Sequence, residues 1–313
     1  MKVAVILYLY NSALLSEYIS LLAPIKKDIH LFIGVCLDNE ADIFLIEKTL
    51  MSNHIDYTLS THHNIGLDIG PFLQQIQTVD SSKYKTFIKL HSKQSLWGYY
   101  KNIPWRIPLV NSLIGSDIIF KTNRQHIQNN KHVGMIANTG FMLGRDKEGR
   151  NSNIIKDICT NFLSINIEEI NRTDISFVAG SIFWSHTEIF QKYFTPSVIH
   201  KLYSLLESKR FNDSKQGTYA HSLERIFGYI IGLSGYHIID GFVDKTIDIT
   251  NTKSNYSYKL IQCYNKVCYV DIDVLTAGIH YHIGDSLLIN WKHKSYNGFW
   301  KKYHKITDLS YIS

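Results

Sequence analysis

His63-Asn64-Ile65-Gly66-Leu67-Asp68-Ile69-Gly70-Pro71-Phe72, followed by Phe87-Ile88-Lys89-Leu90-His91-Ser92-Lys93-Gln94-Ser95, decides how this chain is read. The first piece is a Gly-rich turn carrying Asn64 and Asp68, backbone of the kind that approaches a ligand closely. The second is a short apolar strand that empties into Lys89, His91 and Lys93. Side chains on a strand repeat with period two, so these three share one face. A strand end that gathers positive charge beside a Gly-rich turn reads as a seat for a phosphate-bearing ligand.

Upstream, strand and helix patterns alternate. Val3 to Tyr10 is a buried strand, and Ser12 is the expected N-cap of a helix with Leu14, Tyr18, Leu21 and Leu22 on one face. Leu31 to Leu37 is a second strand, ending in Asp38-Asn39-Glu40. Asp42 to Leu50 reads as a helix, Tyr57 to Thr61 as a third strand, Pro71 to Thr78 as a short helix and Lys85 to Leu90 as the fourth strand. This alternation implies an α/β fold with a mostly parallel central sheet and right-handed crossovers. Ligands of such sheets bind at the carboxyl ends of the strands, where Asp38, Asn64 and the segment from Lys89 to Lys93 all fall.

The middle of the chain is less regular. Trp105 and Arg106 precede an apolar helix from Ile107 to Ile114; Val133 to Ala137 reads as a strand, and 140–153 as a mobile loop. Phe177 to Trp184 reads as one buried strand with a Gly-Ser break at which backbone and ligand approach each other. Gly217 to Gly232 is a helix. The reading divides the chain into a domain at 1–250 and a small C-terminal appendage at 251–313, made of Tyr-rich strands and a Lys/aromatic segment.

Composition fits a globular chain. Its 313 residues, 45% hydrophobic and 19% charged, suffice for a sizeable core and exclude disorder. A net charge of +6, with fifteen histidines besides, favours an anionic partner. Four cysteines, at 36, 159, 263 and 268, form no CxxC pair and read as buried thiols of a reducing cytoplasm. The run after Lys2 is β-branched and aromatic, without a small-residue cleavage site, so it is expected to be a strand and not a signal peptide. No run reaches the roughly 18 apolar residues of a membrane span. Trp291 to Lys305 interleaves Lys292, Lys294, Lys301, Lys302 and Lys305 with aromatic residues, which suits an anionic membrane surface; no nucleic-acid fold signature accompanies it.

Five stretches in order, NIGLDIGPFL, KLHSKQS, Trp105-Arg106, FVAGSIFW and GTYAHSLER, resemble the rhamnan synthesis F family of bacterial cell-surface polysaccharide glycosyltransferase modules. The resemblance runs from about residue 5 to 245. It implies a GT-A-like nucleotide-sugar-binding fold and transfer of a sugar, rhamnose or galactofuranose, from a nucleotide diphosphate donor to a lipid-linked surface glycan such as O-antigen, lipopolysaccharide or capsule. It also implies a cytoplasmic location, peripheral on the inner face of the bacterial cytoplasmic membrane. Most GT-A enzymes end the fourth strand with a metal-holding Asp-x-Asp, whereas this chain has Lys-Leu-His-Ser-Lys. A cationic strand end repels a metal and neutralises a diphosphate itself, so a metal-independent reaction is expected.

On that reading Asp38, Asn64, Gly66, Asp68, Lys89, His91 and Lys93 hold the nucleotide donor. Asp38 takes the base or ribose, and Asp68 a ribose or sugar hydroxyl. His221, Glu224 and Arg225 lie at i, i+3 and i+4 on a helix. Glu224 is the expected base for the acceptor hydroxyl, with His221 as alternate and Asp68 as the next carboxylate. Trp105, Arg106, Trp184 and Arg225 form the expected acceptor platform. Asp271 and Asp273, with His280 and His282, are a competing metal set of divalent type, placed awkwardly after the catalytic helix. A non-catalytic glycan-binding or assembly module of the same fold is the competing class.

Overall fold

Strand β1 (Val3–Leu9) is apolar throughout and buried at every position, which only a central strand covered on both faces can be. The computed structural model describes residues 1–92, 96–97, 100–104, 106–137, 142–145, 148–172, 176–208 and 217–241, and strands between 256 and 306 as backbone. The chain elements are β1, α1 (Leu15–Leu22), β2 (Ile29–Cys36), α2 (Ile43–Ser52), β3 (Tyr57–His62), α3 (Ile69–Ile76) and β4 (Thr86–His91). A short ladder of β5 (Leu96–Trp97) and β6 (Tyr100–Pro104) precedes α4 (Arg106–Ile114), α5 (Asp117–Asn129), β7 (Val133–Ala137) and β8 (Met142–Gly144). Then come α6 (Ser152–Asp157), α7 (Ile167–Arg172), β9 (Ser176–Val178), β10 (Phe183–His186), α8 (Thr187–Tyr193), α9 (Pro196–Tyr203), α10 (Tyr219–Leu233) and β11 (His237–Asp240).

Seven strands form the central sheet in the order β11-β7-β10-β4-β1-β2-β3. β4, β1, β2 and β3 are mutually parallel, and β11 is parallel to β7; β10 runs antiparallel to both β4 and β7. The mostly parallel α/β sheet is as expected. Alternation divides the core in two. Val3, Val5, Leu7, Ile88 and Leu90 join the cluster that includes α1 and α4 residues. Ala4, Ile6 and Phe87 join the other, with Phe72 and Ile76 of α3 and Phe227 and Ile230 of α10. On the second side α10 comes close enough to β9 that a Cβ at Gly228 would lie 2.2 Å from the Ser176 carbonyl oxygen.

Several local expectations are corrected. Asn11, not Ser12, caps the turn ahead of α1, its side chain accepting from the Ala13 N–H. The 140–153 segment holds β8 and the start of α6 where a loop was expected. Phe177 to Trp184 is not one strand: β9 pairs with β8, β10 lies in the central sheet, and Gly180 and Ser181 turn between them at φ 92 and 48. In the C-terminal stretch β12 (Tyr256–Cys263), β13 (Lys266–Asp273), β14 (Gly278–Ile283), β15 (Leu288–Lys292) and β16 (Tyr303–Ile306) form an antiparallel sheet in sequential order. Among the described residues no helix is long and apolar enough to cross a membrane.

Candidate active site

The Gly-rich turn is held from two sides. Asp38, just past β2, accepts the Asn64 N–H at 2.6 Å and a hydrogen bond from His63 Nδ1 at 2.8 Å. The His63 contact, with the Asn64 amide, holds the Asp38 carboxyl below its ordinary range. On the other side the Gly66 N–H donates to the Glu207 carbonyl at 2.7 Å. Gly66 has φ +66, and a Cβ there would lie 2.8 Å from Leu206. At Gly70 a Cβ would lie 2.1 Å from the Ile65 carbonyl oxygen. The turn therefore closes tightly enough to deliver Asp68 to the first turn of α3.

Asp68 Oδ2 meets Lys89 Nζ at 2.6 Å and the Ser181 hydroxyl at 2.6 Å. Lys89 also donates to the Ser181 carbonyl at 3.0 Å and Ser181 Oγ at 2.9 Å. His91 Nε2 lies 2.7 Å from the Gly180 carbonyl and 3.8 Å from Asp68 Oδ2. As expected, Lys89 and His91 share a face, since they pair in register with Ile6 and Tyr8 of β1. That face is covered, which corrects the expected cationic rim: the Lys89 side chain is 1% exposed, its ammonium near the Phe72 ring and all three of its protons engaged. Lys89 thus pairs with Asp68 and Ser181 beneath the turn.

The turn at Gly180 and Ser181 is also gripped by α10. Glu224 Oε1 accepts the Gly180 N–H at 2.7 Å, and Arg225 Nη1 lies 3.4 Å from Glu224 Oε2. A left-handed non-glycine residue such as Ser181 costs about 1–2 kcal/mol of backbone energy. Contacts from Asp68, Lys89, His91 and Glu224 around the turn offset that cost. The start of α10 is capped by the Thr218 hydroxyl on the His221 N–H, while the Glu207 carboxylate accepts from the Tyr219 and Ala220 N–H groups. Glu207 therefore ties the Gly-rich turn through its carbonyl and α10 through its carboxylate. Nothing in the residue pattern singled it out.

His221 Nδ1 lies 2.6 Å from Thr218 Oγ1. Arg225 donates from Nη1 to the His221 carbonyl and packs its guanidinium over Phe177. Asp68 and Glu224 are thus brought onto one turn, with His221 and Arg225 on the helix beside them. Asp38 and Asn64 stand at the neighbouring loop.

Two expected acceptor residues are elsewhere, a correction of the platform. Trp184 is fully buried, its Nε1 donating to the Leu113 carbonyl at 3.3 Å and its ring against Phe120. Arg106 is 3% exposed and bonded through Nε and Nη2 to both Glu17 carboxylate oxygens. A buried side chain of either kind cannot stack on a sugar. Lys93 and Trp105 lie outside the described residues. Asp271 faces His280 in the β13–β14 register, and Asp273 and His282 belong to the same two strands; their side chains lie outside the described residues.

The family model described as Rhamnan synthesis protein F matches residues 1–236. Two curated relatives, uncharacterized proteins WxcX from two strains of Xanthomonas campestris pv. campestris, are each 24% identical over 216 residues. Those matches cover 68% of this chain and 29% of the relatives, so the chain spans less than a third of their length. Among solved structures, core-mannan synthase A from Aspergillus fumigatus in its Mn/GDP form is similar at 12% identity. It covers 76% of this chain and 73% of that one, with a TM-score of 0.36.

Proposed function

Because the chain belongs to the rhamnan synthesis protein F family, we propose that it is a GT-A-like glycosyltransferase unit of bacterial surface-glycan synthesis. The donor is a nucleoside diphosphate sugar carrying rhamnose or galactofuranose. The acceptor is a lipid-linked glycan of O-antigen, lipopolysaccharide or capsule type, met at the inner face of the cytoplasmic membrane. The observation that carries this reading is the meeting of Asp68 and Glu224 on the Gly180–Ser181 turn, at the carboxyl end of the parallel strands.

In the proposed reaction Glu224 takes the proton of the acceptor hydroxyl as its oxygen bonds to the anomeric carbon. The bond from that carbon to the diphosphate breaks, and its electron pair leaves with the nucleoside diphosphate. Asp68, held by Lys89 and Ser181, orients a hydroxyl of the donor. The proposal is metal-independent: where a GT-A enzyme would carry Asp-x-Asp, β4 ends in Lys89-Leu90-His91, and Lys89 already cancels the Asp68 charge. The leaving diphosphate is assigned to Lys93, two positions along the chain from His91, and Arg225 keeps its place on the acceptor side.

The test is a transfer assay with nucleoside diphosphate rhamnose and galactofuranose on a lipid-linked acceptor, with and without EDTA. Product in both conditions is the expected outcome. Activity lost in EDTA and restored by Mn²⁺ or Mg²⁺ would reassign the metal to Asp271, Asp273, His280 and His282. Glycan binding without turnover of any donor would make the chain a non-catalytic assembly module.

A further inference from the structure

Tyr8 is the penultimate residue of β1, in register with Gly34 of β2 and His91 of β4. Alternation along β1 puts its side chain on the Ala4 and Ile6 face, the face that also carries Lys89 and His91. The residue is 3% exposed, yet its hydroxyl has no well-formed hydrogen bond among the described residues, the Cys36 thiol beside it being a weak acceptor. Buried tyrosine hydroxyls nearly always find such a bond, because a lost phenol–water bond is otherwise not replaced. Burial, the Cys36 thiol beside it, and the carboxylates of Asp38 and Asp68 all raise its pKa, so the phenol keeps its proton. Among the described residues it is a buried donor with only a thiol sulfur to meet it, beneath the loops that follow β2 and β3.

Building on the proposed nucleotide-sugar reading, we infer that the Tyr8 hydroxyl donates a hydrogen bond to an uncharged oxygen of the donor's nucleoside, a ribose hydroxyl or base carbonyl. A phosphate there would meet the Asp38 carboxylate, whereas a ribose offers hydroxyls that this carboxylate accepts. The diphosphate is thereby directed away from β2, toward the α10 side of the site. Tyr8 is then a nucleoside-binding residue, and its place within an apolar strand hides that role from the residue pattern.

Calorimetry on the full chain with UDP, dTDP, GDP and inorganic pyrophosphate tests this, comparing wild type with Tyr8→Phe. The swap keeps the ring and its packing, so the free protein should unfold at the same temperature or slightly higher. Affinity for the preferred nucleoside diphosphate should fall about tenfold, while that for pyrophosphate stays unchanged. Unchanged nucleotide affinity in a folded variant overturns the role of Tyr8 and leaves the glycosyltransferase reading standing. A lowered unfolding temperature with unchanged affinity overturns it too, in favour of a structural water on the hydroxyl. Equal losses for nucleotide and pyrophosphate would overturn the assignment to the nucleoside. Wild type binding no nucleotide would overturn the donor reading itself.

Discussion

Lys89 Nζ lies 2.6 Å from Asp68 Oδ2 with the lysine side chain 1% exposed and the aspartate 14% exposed. The pair joins the end of β4 to the start of α3, and both partners share Ser181. An ion pair this buried contributes less to net stability than to geometry, because desolvation cancels much of its attraction. Its consequence is that Asp68 cannot leave the turn at Gly180 and Ser181 without stranding a charge.

Lys89→Met should therefore be costly. It leaves the Asp68 carboxylate without its cation, and a loss of about 3 kcal/mol is expected, the low end for buried pairs because Asp68 keeps some solvent. Adding Asp68→Asn should recover part of that loss. Urea unfolding of both variants measures it, and a single variant as stable as wild type would show that the pair does not hold the site.

Glu224→Gln should fold normally, since an amide oxygen still accepts the Gly180 N–H. Turnover should drop by about 10²–10⁴ if the carboxylate takes the acceptor proton. His221→Ala, which among the described residues loses the side-chain contact to Thr218, should cost less. The opposite ranking in single-turnover assays would move the base to His221, and near-wild-type rates in both would leave Asp68.

Gly70→Ala tests how tightly the Gly-rich turn is closed. The new methyl meets the Ile65 backbone oxygen, which cannot swing aside as a side chain would. A loss of about 1–3 kcal/mol is expected, with weaker nucleotide binding because Asp68 shifts with the turn. Wild-type stability in thermal unfolding would mean that the turn opens freely.

His62 carries a pH dependence. Burial holds its pKa below the ordinary value of 6.5, with its Nδ1 against Gln74 Oε1 at 2.7 Å. The folded chain then binds fewer protons than the unfolded one, so this contribution is complete above about pH 6.5 and is lost as pH falls toward the folded value. Urea unfolding at pH 7.5 and pH 5.5 should show a drop that is smaller in His62→Gln. An equal drop in the variant would assign the titration to another group.

The β/α alternation of the first ninety residues, the loops at the carboxyl ends and the shared face of Lys89 and His91 follow from the sequence by itself. Each is local: a period of two or 3.6, a glycine where the chain must turn, or a run of apolar residues too long to be exposed. The pairing of His221 and Glu224 on one helix is equally local.

Tertiary structure decided which polar groups face solvent. Period two places Lys89 on a face but does not say that α3 and the Gly180–Ser181 turn cover it, and the same pattern serves an exposed rim or a buried ion pair. Arg106 meets Glu17 from 89 positions away, and Trp184 meets Leu113 from 71 away. Gly180 and Ser181 separate two strands that sequence reads as one, because the left-handed turn is held by Lys89, His91 and Glu224, residues far along the chain. Which carboxylates meet at that turn is set by long-range packing, and long-range packing leaves no periodic trace in the order of residues.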